Sequence, residues 1–174
     1  MAIRSYKGKT PVIAETAYIA PSAQIIGDVQ IGEYCTVLDG AVLRADYGTM
    51  TIGKYSNIQE NCILHMEHDF PCIIGEYCTI GHGAIVHGAQ VEDRCLIGMG
   101  SVILDGAYIG EGSVVGAAAL VPGKSYIFDR SLCVGVPYQV IREVEEERVK
   151  KQEAAAIAIS EKIPGLKEEL KELV

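Results

Sequence analysis

Large rings are nearly missing from this sequence: tryptophan does not occur and phenylalanine occurs only twice in 174 residues, although tyrosine appears nine times. A chain of this length buries a sizeable core, and with so few rings that core must be narrow and filled by aliphatic and small side chains. No apolar run approaches the roughly 20 residues of a membrane-spanning helix. The opening AIRSYKGKTP also has no apolar stretch of the kind a secretory signal carries, so the expected location is the cytoplasm. Positive charge is in deficit, and a net charge of −8 opposes binding to nucleic acid or to an anionic membrane surface. Six cysteines are present, yet none forms a Cys-x-x-Cys pair, the usual sequence mark of a metal cluster. At 49% hydrophobic and 22% charged, the composition is that of a folded domain.

What is present is a rhythm of six. IGEYCT occurs at 31–36 and again at 74–79, with IGKYSN, IGHGAI, IGMGSV and IGEGSV as variants. Hexads begin at Ile19, Ile25, Ile31, Val37 and Leu43, then after a shift at Ile52, Ile58 and Leu64. A second shift leads to Ile74, Ile80 and Val86, and a third to Val91, Ile97, Ile103, Ile109, Val115 and Val121. The fifth position of the hexad is small: Cys35, Ala41, Ser56, Cys62, Cys78, Ala84, Cys95, Ser101 and Ala107 are examples. Two inward positions separated by outward ones have the period of a strand, and the glycine and polar residues between them mark tight bends. Three such strands close a triangular coil of about eighteen residues, and stacked coils bury one continuous core. The pattern resembles the hexapeptide-repeat left-handed parallel β-helix, an all-β solenoid, and its handedness is implied by that resemblance.

Four cysteines, Cys35, Cys62, Cys78 and Cys95, fall in the small inward slot, where a thiol acts as a compact apolar group. Cys72 and Cys133 lie outside the clean register. Cys78 and Cys95 stack on adjacent coils, which permits a disulfide, but buried thiols are the expectation for a reducing compartment. The rhythm stops near Pro137. REVEEERVKKQEAAAIAISEKI, residues 142–163, is rich in Glu, Lys and Ala and predicts a helix ending near Pro164-Gly165, with LKEELKELV as a further turn or two. Val144, Val149, Ala156 and Ile159 supply an apolar stripe for packing along the prism. The expected organisation is a β-helix domain over 1–136, with a lead-in at 1–18, and a C-terminal helical segment over 137–174.

The segment IGHGAIVHG holds two histidines five residues apart. With the prism edges labelled a, b and c, Leu64 and Val86 open edge c on successive coils, so His65 and His87 both point outward, one above the other. Stacked strands lie roughly 4.8 Å apart, close enough for both imidazoles to reach one ion at Zn–N bonds of about 2.1 Å. His82 sits at the corner between edges b and c, separated from His87 by roughly 15 Å of strand at 3.3 Å per residue. It joins them only if a neighbouring subunit supplies it. A prism with complementary edges closes naturally as a cyclic trimer with three equivalent sites.

GAVLRAD, IGKYSNIQENCILH, IGHGAIVHG and LIGMGSVILDGAYIG together resemble the γ-class carbonic anhydrase family over about residues 1–160. The resemblance implies a homotrimer with zinc, or alternatively ferrous iron or cobalt, at each interface. It implies ligation by His65 and His87 of one subunit and His82 of the next, and metal-hydroxide hydration of carbon dioxide to bicarbonate. It implies further that Asn57 and Gln59 hydrogen-bond the bound water or bicarbonate, and that Arg44 and Asp46 pair across the interface. Several positions depart from the family pattern. Glu60 stands where Asp is usual and Ala45 where Gly is usual; Leu38 and Asp39 precede GAVLR without a tryptophan. The helix has no tyrosine, and residues 66–73 leave no room for the long acidic proton-shuttle loop, although Glu67 or His68 can carry protons. Two other readings are a hexapeptide acyltransferase or thioesterase acting on coenzyme A thioesters, for which a single histidine base suffices, and a non-catalytic, metal-bound assembly module.

Overall fold

The computed structural model describes residues 2–169. They form a left-handed parallel β-helix followed by one long helix, Glu146–Glu169. Three columns of short parallel strands make its edges. Edge b stacks Ile19, Val37, Ile58, Ile80, Ile97, Val115 and Cys133. Edge c stacks Ile25, Leu43, Leu64, Val86, Ile103 and Val121. Edge a stacks Ile31, Ile52, Ile74, Val91, Ile109 and Ile127. Apart from Ile19 on the first coil, all are buried, so the hexad aliphatics are the core.

The bends recur at fixed offsets. At the a-to-b corner Tyr34, Tyr55, Tyr77, Arg94, Gly112 and Arg130 each follow the inward aliphatic by three and take φ between 52° and 67°. Left-handed backbone costs a residue with a Cβ about 1–2 kcal/mol, and here part of that cost is offset by stacking. The rings of Tyr34 and Tyr55 lie 4.8 Å apart, and those of Tyr55 and Tyr77 5.4 Å apart.

All three shifts of the six-residue rhythm fall on the c-to-a corner. The strand Val42–Ile52 runs unbroken around it, with a register irregularity opposite Gly27 and Val29. On the next coil the longer insertion after His65 folds into a small loop closed by a Glu67–Phe70 bridge. On the third coil the corner is one residue short of the regular interval, with Gly88 at φ +56°. This corner is the least regular part of the prism, and it carries the candidate site.

The C-terminal segment differs from the sequence expectation at its start. Gln139–Glu143 is a strand, paired antiparallel with Ser131–Val134 after a turn containing the cis Val136–Pro137 bond. The helix therefore begins at Glu146, four residues later than the Glu-rich pattern suggests, because the strand claims Arg142 and Glu143. It continues past Pro164 to Glu169, where Lys and Glu, strong helix formers, resume the pattern. The remainder of the expected last turn, 170–174, lies outside the described residues. Val149, Gln152, Ala156 and Ser160 are buried at three- and four-residue spacing, one face of a helix. Gln152 donates to the Arg94 carbonyl at 2.6 Å and Ser160 to that of Tyr34 at 2.5 Å. The helix thus returns along the prism from its last coils to its first, covering the strands Thr36–Val37 and Asn57–Ile58.

All six cysteines are free and buried, and Cys72 and Cys133 belong to the core with the rest. Cys133 closes the edge b column, so the position that looked irregular in sequence is its last rung. Burial pushes the thiols of Cys35 and Cys72 up to about 12 and those of Cys62 and Cys133 up to about 11. None of the six should react with a thiol reagent at pH 8 before the chain unfolds, which stopped-time labelling with and without denaturant will check. The same burial sets an alkaline limit. These raised values leave stability intact below the unfolded thiol value near 9.0. It is lost as pH rises toward the folded values, because only the unfolded chain releases those protons.

Candidate metal centre

His65 and His87 are register partners on adjacent strands of edge c, Ile63–His65 and Ile85–His87. Each follows a buried aliphatic, so strand alternation turns both rings outward. The ring centroids lie 4.9 Å apart at 62°, and His65 Nδ1 is 2.9 Å from His87 Nε2. The outer nitrogen of each ring meets a carboxylate: His65 Nε2 lies 2.8 Å from Asp46 Oδ1, and His87 Nδ1 lies 2.7 Å from Asp105 Oδ1. Asp46 also pairs with Arg44 of the same chain, where the resemblance implied a pairing across an interface. Burial acts to raise the Asp46 carboxyl, and the hydrogen bond from His65, a backbone donor and the Arg44 charge together hold it below the ordinary carboxylate value.

This geometry constrains the protons. A carboxylate only accepts, so each ring directs its N–H outward to Asp46 or Asp105 and keeps a bare lone pair on the inner nitrogen. With both rings neutral, two lone pairs face each other 2.9 Å apart, an arrangement that a positive centre between them would satisfy. A zinc ion with bonds of about 2.1 Å separates two tetrahedral ligand nitrogens by about 3.4 Å, so a small rotation of either ring admits one. Carboxylates behind the ligating imidazoles are what such a centre requires to fix tautomer and orientation. The residues present fit a divalent transition-metal ion.

His82 lies at the other end of edge c, in the b-to-c turn between Ile80 and Gly83, and is not among the groups that converge on His65 and His87. Its Nδ1 is 2.5 Å from Glu60 Oε2, and its backbone N–H donates to Gln59 Oε1 at 3.2 Å. The pattern of the first corner repeats: a carboxylate takes Nδ1–H and leaves Nε2 with a free lone pair on a half-exposed ring. His68 does not follow it, since its 3.3 Å contact with Asp69 lies at a loop tip where both side chains are more than four-fifths exposed.

The expected site residues thus separate into two half-sites. Arg44, Asp46, His65 and His87 gather at the c-to-a corner, and Gln59, Glu60 and His82 at the b-to-c corner. Asn57 joins neither. It is fully buried beneath the helix, and its Nδ2 donates to the Cys78 carbonyl at 3.2 Å and to Thr79 Oγ1 at 2.9 Å, which ties two coils together. Asp105 is a member that sequence reasoning missed. It belongs to the coil after His87, and the only available signal was that Ile103 stacks on Val86, bringing the LDG turn beside the histidine. Tyr47, edge-on to His65 at 6.2 Å, was missed as well.

Residues 10–45 and 88–123 match the family described as bacterial transferase hexapeptide (six repeats). A carbonic anhydrase of Geobacillus kaustophilus is 46% identical over 151 residues, spanning 87% of this chain and 83% of that protein. Gamma carbonic anhydrase 1, mitochondrial, of Arabidopsis thaliana is 38% identical over 147 residues, 81% of this chain and 54% of that protein. A solved structure of a hexapeptide transferase family protein from Anaplasma phagocytophilum is similar with a TM-score of 0.87 at 33% identity, covering 93% of this chain and 98% of that one.

Proposed function

Given that the chain belongs to the γ-class carbonic anhydrase-like family of hexapeptide-repeat proteins, we propose that it is a homotrimeric, metal-dependent enzyme that hydrates carbon dioxide to bicarbonate. One observation carries the reading: His65, His82 and His87 each have one ring nitrogen held by a carboxylate and the other left as a lone pair. Three ligands of one ion require that arrangement, and the fourth histidine, His68, has only a longer contact with Asp69 at a loop tip.

The edge between the half-sites supports the trimer. The outward position before each inward aliphatic reads Gln24 on the first coil and then Val42, Ile63, Ile85, Val102 and Leu120, an aliphatic line from the second coil on, with Ile63 45% exposed. Three copies packed by this edge around a threefold axis bury the line and bring the His82 corner of one against the His65–His87 corner of the next. Zinc, ferrous iron or cobalt suits three imidazoles.

When bound, such an ion supplies the Lewis acidity that lowers the pKa of water to about 7. The chain's own residues do the rest. Asp46, Asp105 and Glu60 fix the tautomer and the aim of the three imidazoles. Gln59 spends its carbonyl on the His82 backbone, which leaves its amide N–H groups free to donate to an oxygen of carbon dioxide or bicarbonate. Arg44 adds positive charge beside the site, partly neutralised by Asp46.

A second reading rests on the similarity to the hexapeptide transferase family protein and on the groove beside His82, lined by Thr79, Leu96, Gly98 and Met99. In it, the Glu60–His82 pair is the base for acyl transfer from a coenzyme A thioester. Stopped-flow carbon dioxide hydration by anaerobically purified protein, alongside its metal content, separates the readings. Hydration that rises with bound metal is expected. Coenzyme A binding by metal-free protein without hydration favours the transferase, and a tightly held ion with neither activity favours an assembly module.

A further inference from the structure

Glu67 has no place in the two half-sites, yet it stands beside one of them. It follows His65 by two, so strand alternation returns its side chain to the same outward face while Met66 between them is buried in the core. A ligand atom from each of His65, Glu67 and His87 lies within 4.8 Å of the other two. This is a three-donor set belonging to one chain, and it needs no neighbour to form.

The loop that carries Glu67 is held in place. Its start is anchored by Met66, whose Cε is 3.1 Å from where a Cβ on Gly48 would stand. Its end is anchored by Phe70, packed against Gly88 and Gly106 so closely that a Cβ at either would come within 2.9 Å of it. Lys124 lies 5.9 Å above the Phe70 ring, and the Phe70 N–H donates to the Glu67 carbonyl at 3.2 Å. With its backbone fixed, Glu67 can approach His65 and His87 by side-chain rotation alone. Its carboxylate has no hydrogen-bond or ion-pair partner among the described residues, whereas Asp46, Asp105 and Glu60 are each committed to a histidine.

Two neutral imidazoles and one carboxylate are a donor set typical of divalent zinc and ferrous iron. We infer that Glu67 is a metal ligand, completing with His65 and His87 a centre that one chain holds before His82 of a neighbouring copy is added. This rests on the metal-centre reading above and deepens it. Each protomer is charged with its ion by its own residues, and assembly then places the third imidazole. Glu67 and the incoming His82 approach from different chains, so neither has to displace His65 or His87, and an ion that takes five or six ligands, as ferrous iron and cobalt do, would keep a position for water.

The test is cobalt and zinc binding to the full-length protein, by chelator competition and by the visible spectrum of the cobalt form. Glu67→Gln and Glu67→Ala should each lower affinity on the order of 10²-fold, the share of one ligand in a site of this kind, and should change the cobalt spectrum. His82→Ala should still bind one ion per chain, and the double variant with Glu67→Ala should bind none under the same conditions. Asp69→Asn, two residues along the same loop, should bind as wild type does. Wild-type affinity and an unchanged cobalt spectrum in both Glu67 variants would overturn the role of Glu67 alone. Wild-type protein that binds neither ion would overturn the metal centre with it. Because Glu67 is exposed, melting curves will show whether the variants keep the fold.

Discussion

Replacing His87 by alanine is expected to cost on the order of 10²–10³-fold in metal affinity and to bring carbon dioxide hydration down to the uncatalysed rate. The magnitude follows from sharing roughly 10–16 kcal/mol of zinc-binding free energy among four ligands. The structure explains why this position is more damaging than His82. His65 and His87 are fixed by the same pair of strands and face each other at 2.9 Å, so removing His87 leaves His65 without its partner imidazole and only Glu67 beside it in the same chain. Asp105, whose hydrogen-bond partner is His87, is left as an unpaired carboxylate beside the site. Chelator competition and stopped-flow hydration on the same preparation measure both effects. His87 is only partly buried, so the thermal midpoint of the metal-free variant should stay near that of metal-free wild type.

The second large effect is expected at Gly88, and a neighbouring glycine supplies its control. Gly88 and Gly83 both take left-handed backbone, at φ +56° and +67°, so alanine at either costs about 1–2 kcal/mol from conformation alone. Around Gly83 nothing lies within 4 Å of the added Cβ. At Gly88 the new methyl would collide with the Asp105 carboxylate and would stand 2.9 Å from Phe70 Cβ. Those two groups orient His87 and hold the Glu67 loop. Gly88→Ala should therefore lose a further 1–3 kcal/mol or so of stability from overpacking. It should also bind metal about 10–100-fold more weakly, the usual cost of losing support behind a ligand. Gly83→Ala should show only the smaller conformational loss. Thermal melts of the metal-free proteins and chelator competition separate the two contributions.

Most of the prism was legible in the sequence because its cause is local. A buried aliphatic every six residues, with small residues at the fifth position, leaves the chain few ways to wind, and counting along it puts His65 over His87 before any coordinate is known. The interruptions were legible as well, since each register shift has to be absorbed at a corner. What remained hidden depends on contacts between distant segments. Asn57 resembles a site residue in sequence, but the helix covers its strand, and that docking is fixed by contacts such as Ser160 with Tyr34, 126 positions apart. The antiparallel strand Gln139–Glu143 was hidden for a similar reason, since its partner strand decides its conformation against a helix-forming composition. Asp105 and Phe70 act through their position on coils or loops next to the histidines, which no motif marks.

The most direct measurement is complementation between two defective chains. His82→Ala keeps the His65–His87 corner and His87→Ala keeps the His82 corner, so each alone should hydrate carbon dioxide at the uncatalysed rate. Mixed by unfolding and refolding together in equal amounts, three quarters of randomly assembled trimers contain both chains and each of these has one complete site of three, which restores about a quarter of wild-type activity. Recovery near that level is the predicted result. A mixture as inactive as its components, or full activity in either variant alone, would contradict a centre built from two neighbouring chains.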